Sequence, residues 1–443
     1  MPYPIKYIEN NLVWNNEGEC FAYYELIPFN YSFLSLEQKD AVHDAFRQLI
    51  VQNRDGKIHA LQISTESSIC AAQERSKKSV TGRLKEIACA EIDEQMENLV
   101  ASLGDTQVDY RFFIGFKLVV TDKELSVKEV GNAAKNLLHD AVNAIGHSFM
   151  GDFVSMPNDE IRRYSRMEKL MENKLSRRFK VRRLDKNDFG YLLEHIYGRT
   201  GTAYEDFEFT LPLKKRKSDT LVKRYDLIKP ARCLIEEKQR YMRIKSEDSE
   251  SYVAYFTISD VVGELDFPSS EIFYFQEQQF DFPIDTSMNV EIVTNKAALS
   301  TVRNKKKELK DLENHAWEAN SDTTNQVMDA LESVDELETV LDQSKESMYK
   351  LSYVVRVTAP DVEELKRRCN QVRDFYDDAS IKLVRPIGDM MGLHSEFIPA
   401  SKRYMNDYVQ YVTSDFLAGL GFGATQMLGE RDGIYLGYNV DTD

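Results

Sequence analysis

Basic side chains are concentrated in one segment of the chain, and they have the clearest capacity to bind a charged ligand. Between Glu160 and Lys186, eleven Lys or Arg residues stand against four acidic ones. Arginine and lysine placed around Phe179 and Val181 could hold the phosphates of a nucleic acid or of a lipid surface. The predicted contact residues for a partner or a membrane are Arg177, Arg178, Lys180, Arg182 and Arg183. The alternative is a solvated surface that pairs with acidic residues of the same protein.

Three closely spaced glycines invite comparison with a phosphate-binding loop. Gly419, Gly421 and Gly423 do not fit G-x-G-x-x-G, because the third residue after Gly423 is Gln426. The pattern G-x-x-x-x-G-K-[ST] occurs nowhere in the chain. Close packing of the chain is therefore the expected reason for these glycines, and no cofactor is predicted to bind here.

Histidine and cysteine provide no metal or nucleophile pattern. His139 and His147 lie eight residues apart on a predicted helix, whereas helical metal ligands are usually three or four residues apart. The other histidines form no local cluster, and nothing local supports a Ser-His-Asp or Cys-His arrangement. The cysteines are widely spaced and include no C-x-x-C pair: Cys20, Cys70, Cys89, Cys233 and Cys369. No catalytic residue and no metal ligand is predicted.

Acidic residues cover one predicted helix in the second half of the chain, namely Asp329, Glu332, Asp335, Glu336, Glu338 and Asp342. A lysine-rich stretch over 305–310 lies on the preceding predicted helix. An antiparallel helical hairpin would place the two sets of charges opposite each other. We therefore expect ion pairs across the hairpin, since general acid–base catalysis needs a pocket that an exposed arm does not offer.

Length and charge limit the classes of protein that fit. The 443 residues are enough for two or three domains, with 42% hydrophobic and 29% charged residues. The net charge of −16 argues against a surface that binds nucleic acid or anionic lipid as a whole, but it permits local basic patches. No apolar run approaches the roughly 18–20 residues that a spanning helix needs. The N-terminus lacks a signal-peptide pattern, so a cytosolic protein is predicted.

Hydrophobic periodicity divides the chain into two similar halves. Each half is predicted to run strand, strand, helix, strand, long helical region, strand, helix, which indicates an α+β fold of two related sheet-plus-helix units. The units are predicted over 1–150 and 231–386, and a basic helical connector over 151–230. Residues 387–443 are expected to form a transition into a further domain.

Local patterns give more detail within each predicted unit. Ser35 and Gln38 have the spacing of a capping box at the start of a helix. A strand is expected over 58–64 and one long helix over 67–103. In the second unit, a helical hairpin over 295–347 is predicted to project from the sheet.

The final stretch of the chain resembles a known family. Residues 416–423, Phe-Leu-Ala-Gly-Leu-Gly-Phe-Gly, followed by Gly-Ile-Tyr-Leu-Gly at 433–437, resemble the segment leading into the motor domain of conjugative type IV secretion ATPases, the TrbE-like and TraC-like group. Residues 4–14 and 264–273 resemble members of that family from Gram-positive conjugative elements. The resemblance covers the whole chain but only the N-terminal half of such an ATPase.

The resemblance implies a role in conjugative DNA transfer. The full protein would be an ATP-driven subunit at the cytoplasmic base of a secretion channel, peripheral to the inner face of the cell membrane. This half would dock the motor to the membrane components of the channel and to neighbouring copies of itself, without being an enzyme. ATP and magnesium would bind only in the C-terminal domain that is expected to follow. Two alternatives are a stand-alone scaffold protein and a nucleic-acid-binding module that uses 162–183.

Overall fold

The fold is given by a computed structural model. It describes residues 4–53, 56–103, 106–119, 158–198, 204, 207–209, 222–223, 233–246, 250–261, 267–268, 270–318, 325–401 and 407–425. Four predicted features lie outside the described residues: the helix over 126–149 with His139 and His147, the basic cluster 214–217, the middle of the helical hairpin at 319–324, and the strand over 434–440.

The first unit consists of a sheet with helices inserted between its strands. Its strands are β1 (Ile5–Glu9), β2 (Leu12–Asn15), β3 (Cys20–Leu26), the short β4 (Phe29–Asn30), β5 (Lys57–Ser68) and β6 (Thr106–Leu118). Its helices are α1 (Leu36–Gln52), α2 (Ile69–Ser79) and α3 (Lys85–Leu103). Ser35 caps α1 and forms the predicted capping box with Gln38.

The segment after the first unit adds both helices and strands. It contains α4 (Asn158–Leu175), β7 (Val181–Arg183), α5 (Lys186–Tyr197) and β8 (Val222–Lys223). The β7 strand pairs with β3, and β8 pairs with β1. The predicted connector over 151–230 therefore contributes strands to the sheet of the first unit.

The second unit repeats this plan. Its strands are β9 (Leu234–Glu237), β10 (Met242–Lys245), β11 (Glu250–Val261), β12 (Ile284–Val293), β13 (Met348–Ala359) and β14 (Ile381–Val384). Its helices are α6 (Ile272–Gln279), α7 (Asn295–Glu318), α8 (Asn325–Ser344) and α9 (Val362–Asp378). The chain continues with α10 (Met390–Ser395), β15 (Gln410–Val412), α11 (Ser414–Gly419) and β16 (Ala424–Thr425).

Both units have the same strand order, as the repeated sequence pattern predicts. The first reads β1-β2-β3-β6-β5 and the second β9-β10-β11-β13-β12. In addition, β7 pairs with β3 as β14 pairs with β11. The antiparallel pairing of β5 with β12 joins the strands of the two units into one sheet. Together with the helices that pack on it, this large antiparallel sheet gives an α+β fold.

The helices cover both faces of this sheet. One face packs against α1, α4, α6, α9 and α11 through a large apolar core. The opposite face packs against α5, α10 and residues 397–400. Burial of both faces explains why the central strands are rich in apolar residues without regular alternation.

Each unit also carries a helical hairpin. The expected single helix over 67–103 is wrong, because β5 continues to Ser68 in its pairing with β6 and the rest forms two helices, α2 and α3. Gly82 lies between them at φ +101°, a conformation that interrupts a helix. The predicted hairpin over 295–347 is present as α7 and α8, whose base packs around Leu299, Val302 and Leu341.

Candidate functional site

Arg182, one of the predicted contact residues, joins two buried carboxylates. From β7 its guanidinium donates to Glu25 at 2.7 and 2.9 Å and to both oxygens of Asp188 at 2.8 Å. Glu25 and Asp188 are each only 2% exposed. Arg111 also pairs with Glu25 at 2.5 Å. Buried carboxylates need a compensating charge. Arg182 therefore has a structural role, because it stabilises the first unit by neutralising them.

Arg183 is likewise engaged within the protein. Its Nε and Nη2 donate to the two carboxylate oxygens of Glu168 at 2.8 and 2.9 Å, and Nη2 also donates to Glu172 at 2.5 Å. Glu168 additionally accepts hydrogen bonds from Asn11 Nδ2 at 3.1 Å and from the Tyr24 hydroxyl at 3.0 Å. This bidentate pair has the geometry of a strong, charge-assisted interaction.

The remaining predicted contact residues lie at the surface between α4 and β7. Arg177, Arg178 and Lys180 are all exposed. Arg178 donates to Gln48 Oε1 at 2.5 Å, whereas the side chains of Arg177 and Lys180 extend into solvent. All five basic residues are exposed, but Arg182 and Arg183 form ion pairs with buried carboxylates, whereas no ion pair is described for Arg177, Arg178 or Lys180.

A second basic surface, which local sequence patterns do not indicate, lies in the second unit. A groove of about 1060 Å³ runs between α9, β14 and the turn that joins β9 to β10. Its floor is apolar and includes Phe256, Leu365 and Cys369. Its walls carry five basic residues and one acidic residue: Lys238, Arg240, Lys366, Arg373, Arg385 and Glu237. We refer to this feature as the basic groove.

Arg385 is the most enclosed basic side chain of the basic groove. Its guanidinium donates to the backbone carbonyl of Arg240 and lies 5.9 Å from the ring centre of Phe256. Its Nε is buried and has no hydrogen-bond partner among the described residues. Burial lowers the pKa of Arg385 from its usual value. The groove therefore presents a partly desolvated cation, which favours an anionic ligand.

Serine, histidine and aspartate do meet in the structure, although no sequence pattern predicts it. The Ser64 hydroxyl donates to Asp285 at 2.7 Å, and His195 Nε2 lies 3.0 Å from the other oxygen of Asp285. Arg356 also donates to Asp285, at 3.3 Å. The carboxylate lies between the hydroxyl and the imidazole in this network, whereas a catalytic triad places the imidazole between the other two groups. Ser64, Asp285 and Arg356 are at most 1% exposed and His195 is 6% exposed, which excludes substrate from this network.

Two buried histidines have matching tyrosine partners in the two units. The Tyr23 hydroxyl lies 2.8 Å from His59 Nδ1, and the Tyr255 hydroxyl lies 2.8 Å from His394 Nδ1. Burial lowers the pKa of His59 to about 4 and that of His394 to about 3. Both imidazoles are therefore neutral near pH 7 and serve as hydrogen-bonding groups of the core.

The glycine-rich segment packs between the two units and forms no phosphate loop. Gly421 has φ +72°, and a Cβ there would lie 2.8 Å from Cβ of Glu271 in the second unit. Gly423 has φ +87°, and its Cβ would lie 2.6 Å from a methyl group of Leu26 in the first unit. The β16 strand that follows pairs in parallel with β4. Close chain packing, the expected reason for these glycines, is what the structure shows.

Neither a metal site nor a bilayer-spanning helix is present in the part of the chain that the structure describes. No group of three or more His, Cys, Asp or Glu residues there could hold a metal ion. No described helix combines the length and the apolar character needed to cross a bilayer.

Comparison with protein-family models gives no match for the chain, and comparison with curated proteins gives none either.

Proposed function

We propose that the chain is a non-catalytic docking and assembly domain of an ATPase that drives conjugative DNA transfer through a type IV secretion system. The observation that carries this proposal is the position of residues 416–423, which resemble the segment leading into the motor domain of that family. These residues pack against both units, through Glu271 on one side and Leu26 on the other. A motor attached at this point would be held by the whole sheet, so force could pass between motor and docking surfaces.

The surface around Arg177 and Lys180 is the proposed contact with the membrane or with membrane components of the channel. Both side chains are exposed, and they lie beside Arg178 on a protein whose net charge is −16. A local basic patch on an acidic protein would orient one edge toward anionic headgroups. Direct binding of nucleic acid is the weaker alternative, since Arg182 and Arg183 are already paired with Glu25 and Glu168.

Co-sedimentation with vesicles containing anionic lipid tests this contact. The double variant Arg177→Glu/Lys180→Glu should lose most of the binding, and binding by the wild-type chain should fall as salt rises. The matched control is Lys245→Glu/Lys382→Glu, which changes net charge equally at exposed positions of the second unit. Arg182 is left intact, because its replacement would unpair buried carboxylates. Equal binding by both double variants and the wild type would refute the proposed contact.

A further inference from the structure

The two units can be compared position by position, because their strands share one order and similar registers. Glu25 on β3 lies opposite Arg182 on β7, just as Thr257 on β11 lies opposite Val384 on β14. When the cross-strand pairs of the two units are aligned, Tyr24 is equivalent to Phe256 and Arg183 is equivalent to Arg385. The basic groove therefore corresponds to the site of Glu168 in the first unit.

The helices that pack over these strands match as well. The core-facing residues of α4 include Tyr164, Glu168, Met171 and Leu175, and those of α9 include Leu365, Cys369, Val372 and Tyr376. Both sets have the spacing i, i+4, i+7, i+11. Glu168 and Cys369 thus hold equivalent positions, and the second unit has a thiol where the first has a carboxylate.

Because of this difference, the second unit lacks the carboxylate that neutralises the equivalent arginine in the first unit. In the first unit, Glu168 is 5% exposed and accepts hydrogen bonds from Arg183, Asn11 and Tyr24. In the second unit, burial raises the pKa of the Cys369 thiol to about 11, so the thiol is neutral at pH 7. Among the described residues Arg385 has no carboxylate partner, and Arg385 and Cys369 line an open groove.

The α8 helix presents a surface with complementary chemistry. Its inner face packs on α7 through Val334, Leu337 and Leu341. Its outer face carries Glu332 and Glu336, both exposed, and they lie one turn apart between Met328 and Val340, each 49% exposed. Two carboxylates between two apolar side chains match the basic walls and the apolar floor of the groove.

We propose that the basic groove binds the outer face of α8 from a second copy of this chain, with a glutamate carboxylate taking the place at Arg385 that Glu168 takes at Arg183. This inference rests on the proposed role in assembly, and it names the two surfaces through which copies of the chain would associate. Because groove and arm are different surfaces, the contact is heterologous: each copy donates one arm and accepts another, so that a ring or a chain of copies can form.

Sedimentation velocity of the full chain at increasing concentration tests the contact. The wild-type chain should form larger species as its concentration rises, and Arg385→Glu and Glu332→Lys/Glu336→Lys should each remain monomeric. An equimolar mixture of these two variants retains one intact groove and one intact arm, so it should yield dimers and nothing larger. The matched control is Lys382→Glu. Lys382 lies on β14, which contributes to the groove, but it is not one of the lining residues, so this variant should assemble as the wild type does.

Cys369→Glu provides an independent test that reverses no basic charge. The new carboxylate should pair with Arg385, as Glu168 pairs with Arg183, and so block the groove while the chain remains folded by circular dichroism. Self-association that survives both Arg385→Glu and Cys369→Glu, or a wild-type chain that stays monomeric, would overturn the inference. Vesicle binding through Arg177 and Lys180 is measured on the same proteins, and its loss or retention bears only on the membrane contact proposed above.

Discussion

Leu61 on β5 pairs directly with Ser287 on β12, and the two residues hold equivalent positions in their respective units. Leu61 lies opposite Phe113 on β6, just as Ser287 lies opposite Val354 on β13. The pairing of two equivalent residues places an approximate two-fold axis between them. The duplicated units are therefore joined through the same strand edge, and the helical hairpins that follow β5 and β12 leave the sheet at opposite ends.

This shared edge predicts that the two units unfold together. The pairing of β5 with β12 runs over six residue pairs, and the glycine-rich segment packs on both units. Separating the units would expose backbone groups of two central strands, which is unfavourable. Calorimetry should show one main transition whose calorimetric and van't Hoff enthalpies agree. Two well-separated transitions would show that the units are independent.

Stability should fall in mild acid because of His59 and His394. Burial lowers the pKa of these groups to about 4 and about 3, below the unfolded value of 6.5. A lowered folded pKa means that the stabilisation is complete above pH 6.5 and is lost as the pH falls from 6.5 towards these values. Between pH 7 and pH 4, the loss from each histidine is about 3 kcal/mol.

Urea unfolding at a series of pH values between 7 and 4 measures this dependence. The double variant His59→Gln/His394→Gln should be less stable at pH 7 but should show a shallower decline, since the remaining dependence comes from carboxylates. A wild-type chain whose unfolding free energy stays constant between pH 6.5 and 4.5 would contradict this role of the histidines.

Replacement of Gly421 by alanine, compared with the same replacement at Gly388, distinguishes the free-energy cost of close packing from that of backbone strain. Gly421→Ala should cost about 2–4 kcal/mol, because it adds a Cβ that meets Glu271 to the strain of a positive φ. Gly388 also has a positive φ, +83°, but a Cβ there meets nothing within 4 Å. Gly388→Ala should therefore cost only about 1–2 kcal/mol. Equal losses in urea unfolding would mean that the contact with Glu271 does not constrain this segment.

That the two units share one strand order could be predicted from sequence, because most of their strands and helices have local signals that recur in the same succession. The hairpin of α7 and α8 was predictable from the turn-forming residues in its middle, and the predicted ion pairs across it are present, with Lys306 bonded to Asp335 and Glu338. The hairpin of α2 and α3 was missed because Gly82 is a weak signal within a polar amphipathic stretch.

The basic groove and the buried network could not be predicted in the same way. Arg240, Cys369 and Arg385 come from three separate segments, and they meet only after α9 packs on the sheet. Ser64 and Asp285 meet only because β5 pairs with β12, a contact between residues more than 200 positions apart. Such sites depend on tertiary pairing, and no local residue pattern specifies them.

The most direct test of the proposed function is the frequency of DNA transfer by donor cells that carry the proposed conjugative element with the coding sequence of this protein deleted. Transfer should be lost while the element itself is maintained, and the wild-type gene supplied separately should restore it. A gene carrying Arg177→Glu/Lys180→Glu should restore it poorly at an equal protein level, whereas one carrying Lys245→Glu/Lys382→Glu should restore it fully. Transfer at the wild-type frequency from the deletion strain would contradict the proposed role.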